Sequence, residues 1–292
     1  MLRIGTRGSA LALAQAEWVR GRLGVDAELV TVLTSGDRGA ALEDKSRWVS
    51  ELERALLEDR IDVAVHSAKD VPAELPDGLE LVAIPARADA RDAICGGASL
   101  AGLEPGSTVG TSSIRRAAQL RAAREDLEVV PIRGNVDTRL RKLAEGQVDA
   151  LVLAMAGLQR LGRTSAASAT LDQLVPAAGQ GALALEARPG ALAAELLARI
   201  ADDRAGACVQ VERELVRALG ASCETPIGAH ARALADGGLE LRAWVGLPDG
   251  SAWVSDLLRG PGAGLGEAVA GRMRAAGADE LLDEAARQGP RP

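Results

Sequence analysis

A short, mostly apolar run over residues 2–4 gives way to Gly5-Thr6-Arg7-Gly8, and Ser9 then precedes a stretch with recurring apolar positions up to Leu23. The pattern predicts a strand, a turn, and a helix with Ser9 at its N-cap. The same order returns at Val109-Gly110-Thr111, where Ser112-Ser113 leads into a helical stretch over residues 114–124. Residues 56–65 and 143–152 form a second echo, each a helix end, a turn and a buried strand. Near-continuous apolar runs such as 151–154, alternating with helices, predict parallel α/β sheets. The expectation is an internal duplication: two similar α/β lobes facing each other.

Pro- and Gly-marked stretches near residues 85–92 and 175–181 read as crossings between the lobes, and a helix over 191–202 as a return to the first. The first lobe is then 1–88 with 181–202, and the second is 89–180. After about Arg204 the pattern changes to a helix over 211–219, a loop holding Cys223, and strand-like runs over 227–235 and 239–246. Asp236-Gly237-Gly238 and Pro248-Asp249-Gly250 read as hairpin connections, and a closing helix starts near Leu265. Residues 203–292 thus form a smaller C-terminal α+β domain, with an end that frays after Gln288.

Composition narrows the function. Of 292 residues 47% are hydrophobic, which excludes intrinsic disorder, and with no Phe or Tyr the cores must be Leu, Val, Ile and Ala. A net charge of −7 and few aromatics argue against nucleic acid as the main partner. No apolar run reaches about 18 residues and the start carries no signal-like segment, so a soluble, cytoplasmic chain without a membrane partner is expected. Three cysteines, Cys95, Cys208 and Cys223, fit a reducing compartment. His66 and His230 are too few for a structural zinc site or a recruited Ser-His-Asp triad. No metal is expected, and chemistry falls to carboxylate, Arg, Lys or Cys.

Arg7 stands at the first turn, Arg115 and Arg116 in the first turn of a helix, and Arg133 and Arg139 around Gly134-Asn135. Cations at a helix N-terminus oppose its dipole unless an anion arrives. Each Arg alone reads as a solvated or paired surface group; five at strand ends point to a polyanion site. Lys69-Asp70 follows a strand over 61–65, and there Asp70 either caps the turn before Pro72 or stabilises a developing cation and relays a proton. His66 reads as packing or hydrogen bonding within the lobe. Cys223 is either an inert small residue or, being in a loop, a covalent attachment point; Cys95 and Cys208 read as inert. Gly179-Gln180-Gly181 is too short for a dinucleotide fingerprint, and no Walker A sequence is present.

Six segments in order give the chain a resemblance to the porphobilinogen deaminase (hydroxymethylbilane synthase) family: Ile4-Gly5-Thr6-Arg7-Gly8-Ser9, Val65-His66-Ser67-Ala68-Lys69-Asp70-Val71-Pro72, Gly110-Thr111-Ser112-Ser113-Ile114-Arg115-Arg116, Arg133-Gly134-Asn135-Val136-Asp137-Thr138-Arg139, Pro176-Ala177-Ala178-Gly179-Gln180-Gly181, and the Cys223 loop. The resemblance implies a cytoplasmic, monomeric transferase of tetrapyrrole (heme) biosynthesis, with two lobes like periplasmic binding proteins and a C-terminal domain carrying the cysteine. It would join four porphobilinogen molecules into linear hydroxymethylbilane, releasing ammonia. By the same resemblance Cys223 holds a dipyrromethane cofactor through a thioether, and Asp70 is the catalytic carboxylate. Lys69, Asp70, Thr111, Ser113, Arg115, Arg116, Arg133, Gly134 and Arg139 match cofactor-binding positions. Arg7, Ser9, Lys45, Trp48, Arg133, Arg160 and Gln180 match the substrate side.

The chain departs from the family in Asp44-Lys45-Ser46-Arg47-Trp48, where a glycine-rich loop is shortened and Trp48 replaces the usual Phe, and at Ser222, which replaces a glycine. A two-lobed, non-catalytic binder of a small polycarboxylate is the competing reading, but it has no need of Cys223 or Asp70. A degenerate homologue that binds cofactor without elongating is the third.

Overall fold

A computed structural model describes residues 1–32, 46–72, 74–97, 99–221 and 225–288, without the side chains of 46–48 and 192. Chain contacts divide it into two units, Met1–Ala88 with Gly181–Val209, and Asp89–Gln180 with Gln210–Pro292.

In the first unit, β1 (Leu2–Thr6), α1 (Ala10–Leu23), β2 (Ala27–Thr31), α2 (Ser46–Leu57), β3 (Val63–Ser67), a 3-10 turn (Ala68–Asp70) and β4 (Glu80–Ala83) follow in order. The second unit begins with β5 (Asp92–Cys95), β6 (Thr108–Gly110), α3 (Ile114–Ala123), β7 (Glu128–Val130), α4 (Val136–Ala144), β8 (Ala150–Ala154), α5 (Met155–Arg160) and β9 (Ala169–Leu171). The chain then returns through β10 (Leu183–Ala187) and α6 (Leu192–Ala198), and the unit boundary falls within α7 (Asp203–Ala218). It closes with β11 (Ile227–Ala233), β12 (Leu239–Gly246), β13 (Trp253–Gly260), α8 (Leu265–Ala275) and α9 (Ala278–Gln288).

The duplication is visible in the topology. One sheet runs β2-β1-β3-β10-β4 and the other β7-β6-β8-β5-β9, so β1 corresponds to β6, β3 to β8, and β10 to β5. Both sheets are mixed, which corrects the expectation of parallel sheets. The first three strands of each are parallel, whereas β10 is antiparallel to β3 and β4, and β5 to β8 and β9. Parallel pairing needs a crossover helix between partners. The strands β5 and β10 instead enter directly from the other unit's segment, without one.

The two lead strands share a device. A Cβ at Gly110 would lie 2.8 Å from Leu151 Cδ2, and one at Gly5 would collide with Ile61, so glycine lets the next element close onto each strand. Ser9 accepts a 3.3 Å hydrogen bond from the Ala12 amide, capping α1, and Ser113 accepts one from the Arg116 amide at 3.5 Å. The cores are aliphatic: Ile4, Val63, Leu185 and Leu197 pack together in the first unit, and Ile94, Val109, Leu120 and Val152 in the second. Because Ala193 and Leu197 join the first of these cores, α6 belongs to the first unit.

Several boundaries move. The strand expected over 61–65 is Val63–Ser67, which places Asp70 on a 3-10 turn instead of directly at a strand end. The helix expected over 211–219 begins at Asp203, and the one over 191–202 is only Leu192–Ala198. The closing helix is two, divided where Gly277 has φ 96°. The second hairpin supplies β13, which pairs antiparallel with β12 over its full length.

Candidate active site

In the first unit, a pocket opens where β1 turns into α1 and β3 into the 3-10 turn; Arg7, Ser9, Gln15, His66, Ser67 and Asp70 line it. Local hydrogen bonds fix its walls. Thr6 Oγ1, fully buried, donates to the Ala12 carbonyl at 3.0 Å, and Gln15 Nε2 donates to Ser67 Oγ at 2.8 Å. The Ala68 amide donates to the Ala182 carbonyl at 3.0 Å, holding the start of the Lys69-Asp70 turn against the return segment. Lys69 and Asp70 are both half-buried. His66 is buried, with Nε2 2.9 Å from Glu186 Oε2. Of the residues expected from the sequence, Arg7, Ser9 and Asp70 thus share one pocket; Lys45 and the Trp48 side chain lie outside the described residues, as do Ser222 and Cys223.

In the second unit the corresponding strand end is built around a carboxylate that sequence reasoning missed. Asp92, fully buried at the start of β5, receives Arg115 Nη1 at 2.8 Å and Arg116 Nη2 at 2.7 Å. Gln180 Nε2 donates to the same carboxylate and to the Ala90 carbonyl, each at 2.7 Å. Arg115 also donates to the Val175 carbonyl at 2.7 Å and Arg116 to that of Val152 at 3.2 Å. Burial alone would raise the Asp92 carboxyl, but the two guanidiniums outweigh it and hold the group well below the ordinary carboxylate range. The helix-start arginines are therefore buried partners of Asp92, not solvated cations awaiting an anion. The only sequence signal for Asp92 is its place beside Arg91 at the lobe crossing.

The remaining basic residues of the second unit sit before and on α4 and at the end of α5. Gly134 has φ 118°, and Asn135 caps α4 by accepting from the Thr138 amide at 2.9 Å. This turns Arg139 Nε onto the Gly134 carbonyl at 2.8 Å, while Arg133 stays exposed. Burial, and then Arg116, pulls the Arg139 guanidinium below its ordinary value. Burial alone lowers Arg160 to about 10. Thr111 is buried, and its Oγ1 accepts from the Ser113 amide at 3.2 Å.

Two family descriptions match the chain: "Porphobilinogen deaminase, dipyromethane cofactor binding domain" over residues 2–195, and "Porphobilinogen deaminase, C-terminal domain" over residues 206–274. The porphobilinogen deaminase of Deinococcus deserti is 46% identical, covering 97% of this chain and 98% of its own. That of Thiobacillus denitrificans is 47% identical with the same coverage. This chain belongs to the porphobilinogen deaminase family.

Among solved structures, a TRAP periplasmic solute-binding protein from Desulfovibrio salexigens is 13% identical over 70% of this chain and 73% of its own, with a TM-score of 0.43. The family's dipyrromethane suits the donors that the second unit presents. Its pyrroles bear carboxylate side chains, and the second unit by itself offers hydroxyls at Thr111 and Ser113 and the largely buried guanidiniums of Arg139 and Arg160, the donor types that carboxylates take.

Proposed function

We propose that this chain joins four porphobilinogen molecules into linear hydroxymethylbilane as a cytoplasmic monomer, with Cys223 carrying the dipyrromethane through a thioether and Asp70 as the catalytic carboxylate. We further take 1–88 with 181–202, 89–180 and 203–292 as its three working domains. The observation that carries the Asp70 assignment is its position in one pocket with Arg7 and Ser9, on a turn tethered through the Ala68 amide.

When bound, the dipyrromethane supplies the primer carbon to which new pyrrole units are added. Arg7 offers a bidentate donor to a substrate carboxylate, and Ser9 a hydroxyl at the N-terminus of α1, whose dipole favours the same anion. Loss of ammonia from the substrate's aminomethyl group leaves an electron-poor carbon, and bond formation spreads positive charge over the pyrrole nitrogens. The Asp70 carboxylate accepts the pyrrole N–H, lowers the energy of that charge and carries away the released proton. Lys69 stands beside it, and Lys45, Trp48 and Gln180 are taken as substrate-side residues on the family resemblance alone. In the second unit Thr111, Ser113, Arg133, Gly134 and Arg139 would hold carboxylates of the dipyrromethane, and Arg160 would take a carboxylate of the substrate. Arg115 and Arg116, which match cofactor-binding positions, would act there through the buried wall that they build with Asp92.

Asp70→Ala tests the reading. It should leave folding and the dipyrromethane attachment intact, checked by circular dichroism and intact mass, while kcat falls by about 10²- to 10⁴-fold. A variant turning over at the parent rate removes Asp70 from the mechanism.

A further inference from the structure

Behind the first unit's pocket lies a group of ionisable side chains that the pyrrole-joining reaction does not use. His66 of β3, one of the residues lining the pocket, bonds Glu186 of β10 through Nε2 at 2.9 Å. Glu53 of α2 stands one turn beyond the pocket residue Val49, on a helix whose Leu52 packs with Ala64 of β3, the strand that carries His66. The exposures of Glu53, His66 and Glu186 are 6%, 5% and 0%, and Glu53 Oε1 and Glu186 Oε1 are buried without a hydrogen-bond partner. Two buried carboxylates with one imidazole carry at least one net negative charge if both are ionised, which is costly in an apolar surround. Holding one further proton removes that charge.

The charges that face this group can be followed element by element. α2 contributes Glu53, β3 His66 and β10 Glu186. α1 faces Ser67 with neutral Gln15, and the Arg3 side chain of β1 is engaged by Asp59 and Asp62. Around the pocket mouth stand Arg7 and Asp70.

We propose that Glu53, Glu186 and His66 act together as positioning residues that hold a proton beneath the pocket, keeping its floor free of excess negative charge when a carboxylate-bearing substrate docks beside Arg7. This rests on reading the pocket as part of the porphobilinogen site. Burial first, then Glu186, raises the Glu53 carboxyl to about 7, with His66 opposing, so the held proton is lost near neutrality. Above that pH the floor becomes anionic and repels the substrate's carboxylates. Binding weakens, while the chemistry at Asp70 is unaffected.

The test uses the cofactor-loaded enzyme in two readouts. Infrared titration should reveal a protonated carboxyl band that disappears as pH rises through neutrality and is missing in Glu53→Gln. In steady-state kinetics, KM for porphobilinogen should rise about three- to tenfold from about pH 6 to about pH 8 with kcat nearly constant, and Glu53→Gln should flatten that rise. A parent enzyme lacking the band, or a KM limb that persists in Glu53→Gln, overturns the proposal. Should Glu53→Gln not fold, Glu186→Gln decides, because removing that charge must move the band's midpoint to lower pH; an unmoved midpoint refutes the coupling. The infrared result does not depend on turnover. An enzyme that titrates as described but consumes no porphobilinogen contradicts the reaction assigned to the pocket, not the cluster.

Discussion

At the residue scale the second unit turns on Asp92. Its carboxylate is fully buried and meets two guanidiniums and one amide, so each of those donors depends on it. Asp92→Ala leaves Arg115 and Arg116 buried without their anion, and loss of one partner of a buried ion pair costs about 3–5 kcal/mol. We expect a drop of that order in unfolding free energy, measured by denaturant titration. A loss below about 1 kcal/mol would mean that water or movement of the arginines compensates. Because the Asp92 carboxyl is held below its ordinary range, its contribution is present at neutral pH and is lost only as pH falls through that depressed value.

At the scale of elements, Gly5 and Gly110 decide how closely a strand meets its neighbours. Gly110→Ala places a methyl 2.8 Å from Leu151 Cδ2 and 3.0 Å from Ile132 Cγ2, so overpacking of about 1–3 kcal/mol is expected. Thermal denaturation checks it, and an unchanged melting temperature would show that the strand has room to shift. The first elements of each lobe were legible in the sequence because their signals are local: a glycine turn, a serine cap and an apolar strand within about a dozen residues. Ser9 caps α1 as its position foretells, and Ser113 caps the corresponding helix α3. Strand direction was not legible for β5 and β10, since pairing there is decided by partners far along the chain. The same distance hid Asp92 and Gln180 from one another, although they are joined at 2.7 Å.

For the whole molecule, sequence motifs spread over nearly the full length foretold the family, and the relatives at 46% and 47% identity bear that out. What motifs did not foretell is the ionisable group under the first pocket, because its three members come from α2, β3 and β10 with no shared pattern. Glu53 has a stability consequence of known sign. Its carboxyl is raised from an ordinary value of 4.5 to about 7, so the folded chain keeps a proton that the unfolded chain has released across that interval. Stability therefore falls as pH rises between those values, by at most ~3 kcal/mol, and Glu53→Gln should remove the slope. Denaturant midpoints measured across that interval give the answer, and parallel curves for parent and variant would contradict it.

The central claim, a covalently primed polymerising enzyme, is tested most directly by the intact mass of the purified protein before and after incubation with porphobilinogen, with peptide mapping of any adduct. The account predicts a two-pyrrole increment that maps to Cys223, is absent from Cys223→Ser, and extends into a ladder of further pyrrole units when substrate is added. An unmodified Cys223 that gains no pyrrole under reconstitution would contradict it and favour a binder of polycarboxylates.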